Sequence, residues 1–315
     1  MLSTAQKEQF QKEGYLVIES LVDEASLSAV KDEYRSVFAR IFNDWHREGL
    51  VKQSGEGLDF WQMLDIACAS DLEWFQPLDI SLPHDGITED TPFHFGPAVF
   101  DLITDERVLD VAQDLLGPEI TSCPIQHVRI KPPQNRVPES EVRAHVRETS
   151  WHQDRGVTLE EADRTEMVTV WIAVTDANRE NGCLQVIPNP PAEMYPHCPK
   201  SQTTMADAFV EAERAIHTEV KAGGAVIIHP LTPHSAGPNE SEGYRWSFDI
   251  RFSASGQPTG RSQFPEFIAR SARAPQSELH DWKAWKQSWE AARTHLSNSE
   301  HIPQHRWDGS SPLCA

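Results

Sequence analysis

Between positions 245 and 252 the chain alternates polar and apolar residues without a break. Arg245, Ser247, Asp249 and Arg251 fall on one side, and Trp246, Phe248, Ile250 and Phe252 on the other. A strand sorts such a pattern onto two faces, because successive side chains point to opposite sides of the pleat. The aromatic side has to be buried. The polar side then faces either water, as on an ordinary surface strand, or an internal cavity, if helices cover the aromatic side.

The rest of the chain after Gly117 has the same texture. Short strands separated by turn residues are expected at 125–131, 150–154, 167–174, 183–188 and 224–228. Two polar stretches, 132–147 and 189–216, are too long for turns and read as loops or short helices lying over the open end of a barrel, where they would act as lids. The first part of the chain is helical instead. Residues 4–42 read as helix, strand, helix, with the strand at 14–18; residues 71–95 read as loop, and 98–116 as a helix ended by Gly117-Pro118. In the tail, 279–296 reads as a helix whose Trp282, Trp285 and Trp289 share one stripe and dock it on the body. Helices followed by a run of strands predict a mainly β fold with flanking helices around a double-layered, cupin-like jelly-roll core, that is, a double-stranded β-helix. One domain over 1–315 is expected, made of a mainly helical part (1–120), the β core (121–255) and a helical C-terminal extension (256–315).

The formal charge of −20 excludes a nucleic-acid or anionic-membrane partner as the main expectation, because binding phosphates requires a basic surface. The N-terminus lacks a basic-then-apolar leader, and no stretch reaches the roughly eighteen apolar residues of a membrane span, so a cytoplasmic location is expected. The five cysteines are widely spaced, with no Cys-x-x-Cys pair, and indicate neither a disulfide framework nor a structural zinc site. A monomer and a homodimer are both compatible with the composition.

Chemistry concentrates in three places. In Ser150-Trp151-His152-Gln153-Asp154, strand alternation points His152 and Asp154 the same way, so one metal can touch both. Among 14 histidines such a pair arises by chance about once, so a third ligand is needed. His234, in Thr232-Pro233-His234-Ser235-Ala236-Gly237, supplies it, with His229 at the end of the preceding strand as the alternative. Two histidines and a carboxylate on one side of a metal suit iron(II) and leave positions open for oxygen chemistry. The third place is Arg245, whose planar fork suits a carboxylate if the polar face of its strand lines a cavity. A further alternating strand, with His127, Arg129 and Lys131 on one face, is either a solvated basic edge or an inward row favouring an anionic substrate.

Taken together, His152-x-Asp154, His234 and an arginine eleven residues after it resemble the phytanoyl-CoA dioxygenase family of iron(II)/2-oxoglutarate oxygenases. The opening residues 9–17, the segments 168–174 and 180–188, and His234-Ser235-Ala236-Gly237-Pro238-Asn239 carry the same likeness, which spans about residues 4–253. The resemblance implies a double-stranded β-helix with iron held by the catalytic set His152, Asp154 and His234. It implies 2-oxoglutarate gripped by Arg245, with Ser247, Trp171, His127 and Lys131 around it, and Arg129 toward the substrate. Dioxygen completes the reacting set, succinate and carbon dioxide leave, and a small molecule, carboxylate-bearing if the basic row faces inward, is hydroxylated or otherwise oxidised, as in secondary metabolism. The chain departs from the family at Ala236, where Ser is frequent, and at Pro188-Asn189-Pro190-Pro191, which replaces a Pro-Gly-Ser-His turn. Two rival classes use the same ligands: a cupin-like metal-binding protein without oxygenase activity, for which Arg245 has no purpose, and a zinc hydrolase, for which no general base stands at recognisable spacing.

Overall fold

The computed structural model describes residues 1–300 and 306–314; the end of the expected C-terminal extension, 301–305 and 315, lies outside them. In chain order the elements are α1 (Thr4–Glu13), β1 (Tyr15–Ile18), α2 (Glu24–Arg47), α3 (Phe60–Ala69), α4 (Pro97–Ile103), α5 (Glu106–Leu116), β2 (Glu119–Lys131), β3 (Thr149–His152), β4 (Met167–Ala173), β5 (Leu184–Val186), β6 (His197–Pro199), β7 (Thr203–Met205), β8 (Ile216–Thr218), β9 (Ala225–Ile228), β10 (His234–Ala236), β11 (Arg245–Ala254), β12 (Phe267–Ser271) and α6 (Trp282–Ser297). The strands form a six-stranded sheet, ordered β1-β9-β4-β11-β2-β12, a four-stranded sheet, ordered β3-β10-β5-β8, and the hairpin β6-β7. All of these pairings are antiparallel.

β11 sits in the middle of the larger sheet, between β4 and β2, and both of its faces are buried. Its aromatic row packs outward into a core shared with the helices. Tyr34 of α2 lies 5.0 Å from the Trp246 ring and 5.9 Å from Phe248, and Phe60 of α3 stacks on Trp246 at 5.7 Å. Leu27, Val30, Tyr34, Val37, Phe38 and Phe42 form the stripe of α2 that makes this contact. Each such large apolar side chain stabilises the layer by about 1.5–3 kcal/mol relative to exposure. With helices over one face, the polar row Arg245, Ser247, Asp249 and Arg251 turns to the interior between the two sheets. The cavity alternative for this strand is therefore the observed one.

The structure corrects several expectations. The helix expected over 98–116 breaks at Thr104, and Asp105 caps the second half. α3, unforeseen, starts from a capping box in which Asp59 and Gln62 satisfy each other's backbone N–H. β2 begins six residues before 125, running across Pro124, which sits in a bulge: Asp249 pairs with His127 and Arg251 with Cys123. A proline without an N–H is tolerated there because the ladder is already interrupted. The C-terminal extension is not only helical, since β12 adds an edge strand to the sheet alongside β2. The expected loop 189–216 contains the hairpin β6-β7.

Cys198 and Cys314 form a disulfide across a separation of 116 residues, contrary to the cysteine expectation. No spacing rule links residues so far apart in sequence. The bridge joins the end of the chain to β6, where the Trp307 ring also stacks on His197 at 5.2 Å. Trp285 and Trp289 are buried against Phe95 at 4.4 and 5.0 Å, so the tail helix docks as expected. Among the described residues no helix is long and apolar enough to cross a membrane.

Candidate active site

His152 ends β3 and His234 begins β10, and the two are direct partners in the antiparallel register. Asp154 has already left the strand and opens a short 3-10 turn, but Gln153 between them is extended, so the alternation that turns His152 inward still carries Asp154 with it. The side chain of Gln153 points away, donating to the Leu231 carbonyl at 2.6 Å and accepting from the Tyr195 N–H at 2.7 Å. The Nε2 atoms of His152 and His234 each lie 3.8 Å from Asp154 Oδ1, and one donor atom from each of the three residues falls within 4.8 Å of the others.

Each imidazole is oriented by its own backbone neighbourhood: Nδ1 of His152 meets the Ser150 carbonyl at 2.9 Å, and Nδ1 of His234 meets the Thr232 carbonyl at 3.0 Å. That contact places the proton on Nδ1 and leaves Nε2 as the free lone pair. Burial, together with the neighbouring His234, pushes His152 down to about 3, so the ring is neutral. Asp154 accepts from Thr169 Oγ1 at 2.5 Å and from Arg251 Nη2, and Arg251 in turn donates to Thr169 Oγ1 at 3.1 Å and to the Ile125 carbonyl at 3.1 Å. Burial works against the charge on Asp154, but Arg251 and the histidines outweigh it and hold the carboxyl below its usual range. Two imidazoles and an ionised carboxylate, each fixed by a second contact, form a donor set suited to a divalent iron. Among the described residues this is the one such cluster of three. His229 stands elsewhere, edge-on to Phe10 at 5.9 Å with Nδ1 accepting from the Leu231 N–H.

Arg245 is fully buried in a narrow chamber with His152, His234, Trp171, Leu184 and Asp249. Its Nη1 donates to Ser247 Oγ at 2.6 Å, and the guanidinium lies 5.2 Å from the Trp171 ring. Its Nε and Nη2 have no partner, nor do the neighbouring Trp171 Nε1 and Asp249 Oδ1. Burial, followed by repulsion from Arg129, pushes the guanidinium down to about 9, which leaves it charged at neutral pH. A buried cation with two unused donors calls for an anion.

The row His127, Arg129 and Lys131 does face inward. Arg129 reaches the chamber and pairs with Asp249 at 2.6 Å. Lys131 is also fully buried, but its Nζ donates to the Gly237 carbonyl at 2.8 Å and the Ala236 carbonyl at 3.3 Å, tying β2 to the end of β10. His127 lies further out, with Nδ1 3.0 Å from Asp79 Oδ2 and its ring 4.1 Å from that of His145. It lines a cavity of about 360 Å³ that opens from His152 toward 142–145 and 199–203, the two stretches expected to act as lids. Arg251, the partner of Asp154, was legible on the polar row of β11. His84, Asp79, His145 and Arg261 also belong to this region, and they come from loops that carry no periodicity.

A fold of two antiparallel sheets holding a two-histidine, one-carboxylate centre beside a buried arginine defines the class of non-haem iron, 2-oxoglutarate-dependent oxidoreductases. The model of the phytanoyl-CoA dioxygenase family matches residues 10–247, and the chain belongs to that family. It is 26% identical over 263 residues to a probable phytanoyl-CoA dioxygenase of Caenorhabditis elegans, covering 80% of this chain and 75% of that protein. The non-heme monooxygenase ThoJ shares the fold with a TM-score of 0.60 at 17% identity, over 93% of this chain and 97% of its own. EvdO2 from Micromonospora carbonacea var. aurantiaca, solved with 2-oxoglutarate, shares it at 0.51 and 19% identity, over 81% and 92%. Iron(II), 2-oxoglutarate and dioxygen are the reacting set of the family.

Proposed function

We propose that this protein hydroxylates a small, carboxylate-bearing organic molecule, converting substrate, 2-oxoglutarate and dioxygen into hydroxylated product, succinate and carbon dioxide on a double-stranded β-helix scaffold. The observation that carries the reading is Arg245, a buried guanidinium with unused donors in the same chamber as His152 and His234. In this reading His152, Asp154 and His234 hold the iron, and Arg245 takes the distal carboxylate of 2-oxoglutarate. The bound metal supplies activation of dioxygen coupled to decarboxylation of the keto acid.

The chain supplies position and dryness. Thr169 and Arg251 keep the Asp154 carboxylate ionised and fixed, and the backbone carbonyls of Ser150 and Thr232 fix the two rings. Ser247 and Trp171 hold the Arg245 fork in one rotamer, so little ordering remains when the cosubstrate arrives. The stretches 142–145 and 199–203 border the substrate cavity and act as lids that exclude water from it. A cytoplasmic location belongs to the same proposal. The tail is held by the Cys198–Cys314 bridge and by Trp307 Nε1, which donates to the Gly156 carbonyl at 2.6 Å.

Anaerobic titration with iron(II) and then 2-oxoglutarate tests the reading. A weak visible band from the iron and keto-acid chelate is expected, followed by substrate-stimulated succinate formation in air. Tightly held zinc and no such band would instead favour the hydrolase.

A further inference from the structure

The substrate cavity is lined by five cationic side chains beyond its histidines: Arg129, Arg143, Lys200, Arg251 and Arg261. Four of them are already neutralised by carboxylates. Arg129 pairs with Asp249 at 2.6 Å, Arg143 with Glu141 at 2.6 Å, Lys200 with Asp207 at 3.4 Å, and Arg251 with Asp154. Arg261 is 4% exposed and makes no ion pair within 4.0 Å among the described residues, with Glu161 acting on it only from further off. Its Nη1 donates to the Gly260 carbonyl at 3.1 Å and its Nη2 to the Val157 carbonyl at 2.6 Å. These two bonds use two of the five N–H groups of a guanidinium that lines the cavity.

Its backbone is held as firmly as its head. Gly260, at φ +77°, packs against Thr158 and Ala162 so closely that a Cβ there would lie 2.7 Å from the Thr158 side chain. The Gly260 carbonyl accepts from Leu159 N–H at 3.2 Å, the Pro258 carbonyl from Thr165 Oγ1 at 2.7 Å, and the Arg261 carbonyl from Phe264 N–H at 2.9 Å. Such a pinned, buried cation without a direct ion pair is costly unless something anionic meets it. Burial pushes it down to about 10, which still leaves it charged.

We infer that Arg261 is the specificity residue that receives the oxyanion of the primary substrate, an organic acid whose apolar body lies along Ile125, Val142 and Val157 while its reactive carbon faces His152. This rests on the oxygenase reading and names the side chain that selects the substrate class. The 2-oxoglutarate carboxylate goes to Arg245 in the narrow chamber, so the two anions occupy separate arginines. A cavity of about 360 Å³ is within the ~300–1,000 Å³ of small-molecule sites.

The test is calorimetric binding of octanoate, octanamide and octyl phosphate to the anaerobic enzyme loaded with iron(II) and 2-oxoglutarate, comparing the wild type with Arg261→Gln and Arg261→Lys. The wild type is expected to bind octanoate and octyl phosphate at least about tenfold more tightly than the amide. Arg261→Gln should erase that preference by weakening the anions alone, and Arg261→Lys should keep part of it. Equal affinity of the wild type for acid and amide, binding of none of the three probes, or an undiminished preference in Arg261→Gln would overturn the assignment. If Arg261→Gln does not fold, the wild-type comparison and the lysine variant decide it. The iron and keto-acid band is recorded on the same samples, so its absence marks failure of the oxygenase reading, separately from a missing acid–amide difference.

Discussion

His152 and His234 face each other across the β3–β10 pair, with ring centroids 4.2 Å apart, and each has Nδ1 held by a carbonyl of its own chain segment. Two imidazoles held so close to each other and to the Asp154 carboxylate are a prepared site for a cation. Iron(II), added without oxygen, should therefore raise the melting temperature, with about 2.7 kcal/mol of added stability at a hundredfold excess over the dissociation constant. A chelator should reverse the rise. In His234→Ala the metal-dependent shift should vanish, while His229→Ala should keep it, because His229 packs on Phe10 away from the cluster. A shift lost in His229→Ala and kept in His234→Ala would reverse the ligand assignment.

Arg245 gives a second prediction. Its Nη1 is committed to Ser247, and its other donors are unpaired in the chamber beside the two histidines. Arg245→Ala should raise the 2-oxoglutarate concentration needed for half-maximal turnover by roughly tenfold or more, equivalent to about 1.4 kcal/mol. Metal affinity should change little. Unchanged turnover at low 2-oxoglutarate would remove this residue from the cosubstrate site.

What could be read from the sequence follows the reach of its signals. Period-two alternation in β11 placed Arg245, Ser247, Asp249 and Arg251 on one face, but whether that face met water or a cavity stayed open until the packing of α2 and α3 on the aromatic side was seen. The metal cluster was legible because two of its members are two residues apart and the third begins a strand paired with theirs. Loop residues carry no period, so Asp79, His84, His145 and Arg261 were invisible as site residues although they border it. The disulfide joins positions 116 residues apart, and only the folded tail brings them together. Lys131 shows the opposite limit: its inward direction was readable, but not that carbonyls at the end of β10 would engage its amine.

The pairing of Asp154 with Arg251 predicts a structural penalty alongside the catalytic one. Asp154→Ala leaves the buried Arg251 guanidinium with only the longer 4.0 Å pairing to Asp249, a loss of up to about 3–5 kcal/mol for a broken buried pair. Urea unfolding of the metal-free protein should show that loss. Asp154→Ala/Arg251→Met should recover part of it, because no unpaired charge then remains, yet neither variant should gain stability from iron(II). If the double variant is as unstable as the sum of the two single ones, the ion pair contributes no coupling and this account of Asp154 fails.

Stability should also depend on pH through the buried group of Asp79, His127 and His145, which Arg129, Asp249, Arg251 and His84 face from neighbouring elements. Burial, reinforced by Arg129 and its histidine neighbours, lowers both His127 and His145 well below the ordinary histidine value. Burial pushes Asp79 up to about 6. The signs oppose each other. As pH falls below about 6.5, the unfolded chain gains two imidazole protons that the native state refuses, so stability drops; between about 6 and 4 the native Asp79 takes up one proton the unfolded chain does not, which offsets one histidine. The net loss from the three is about 1.4 kcal/mol per pH unit in that window. Replacing His145, which stacks on Phe75 at 5.2 Å, removes one of the two unfavourable titrations. The stability difference between wild type and His145→Gln, measured by urea unfolding without metal, should therefore shift by roughly 2 kcal/mol in favour of the variant between pH 7 and pH 5. Parallel curves over that range would mean that His145 takes up its proton in the folded protein as readily as in the unfolded chain.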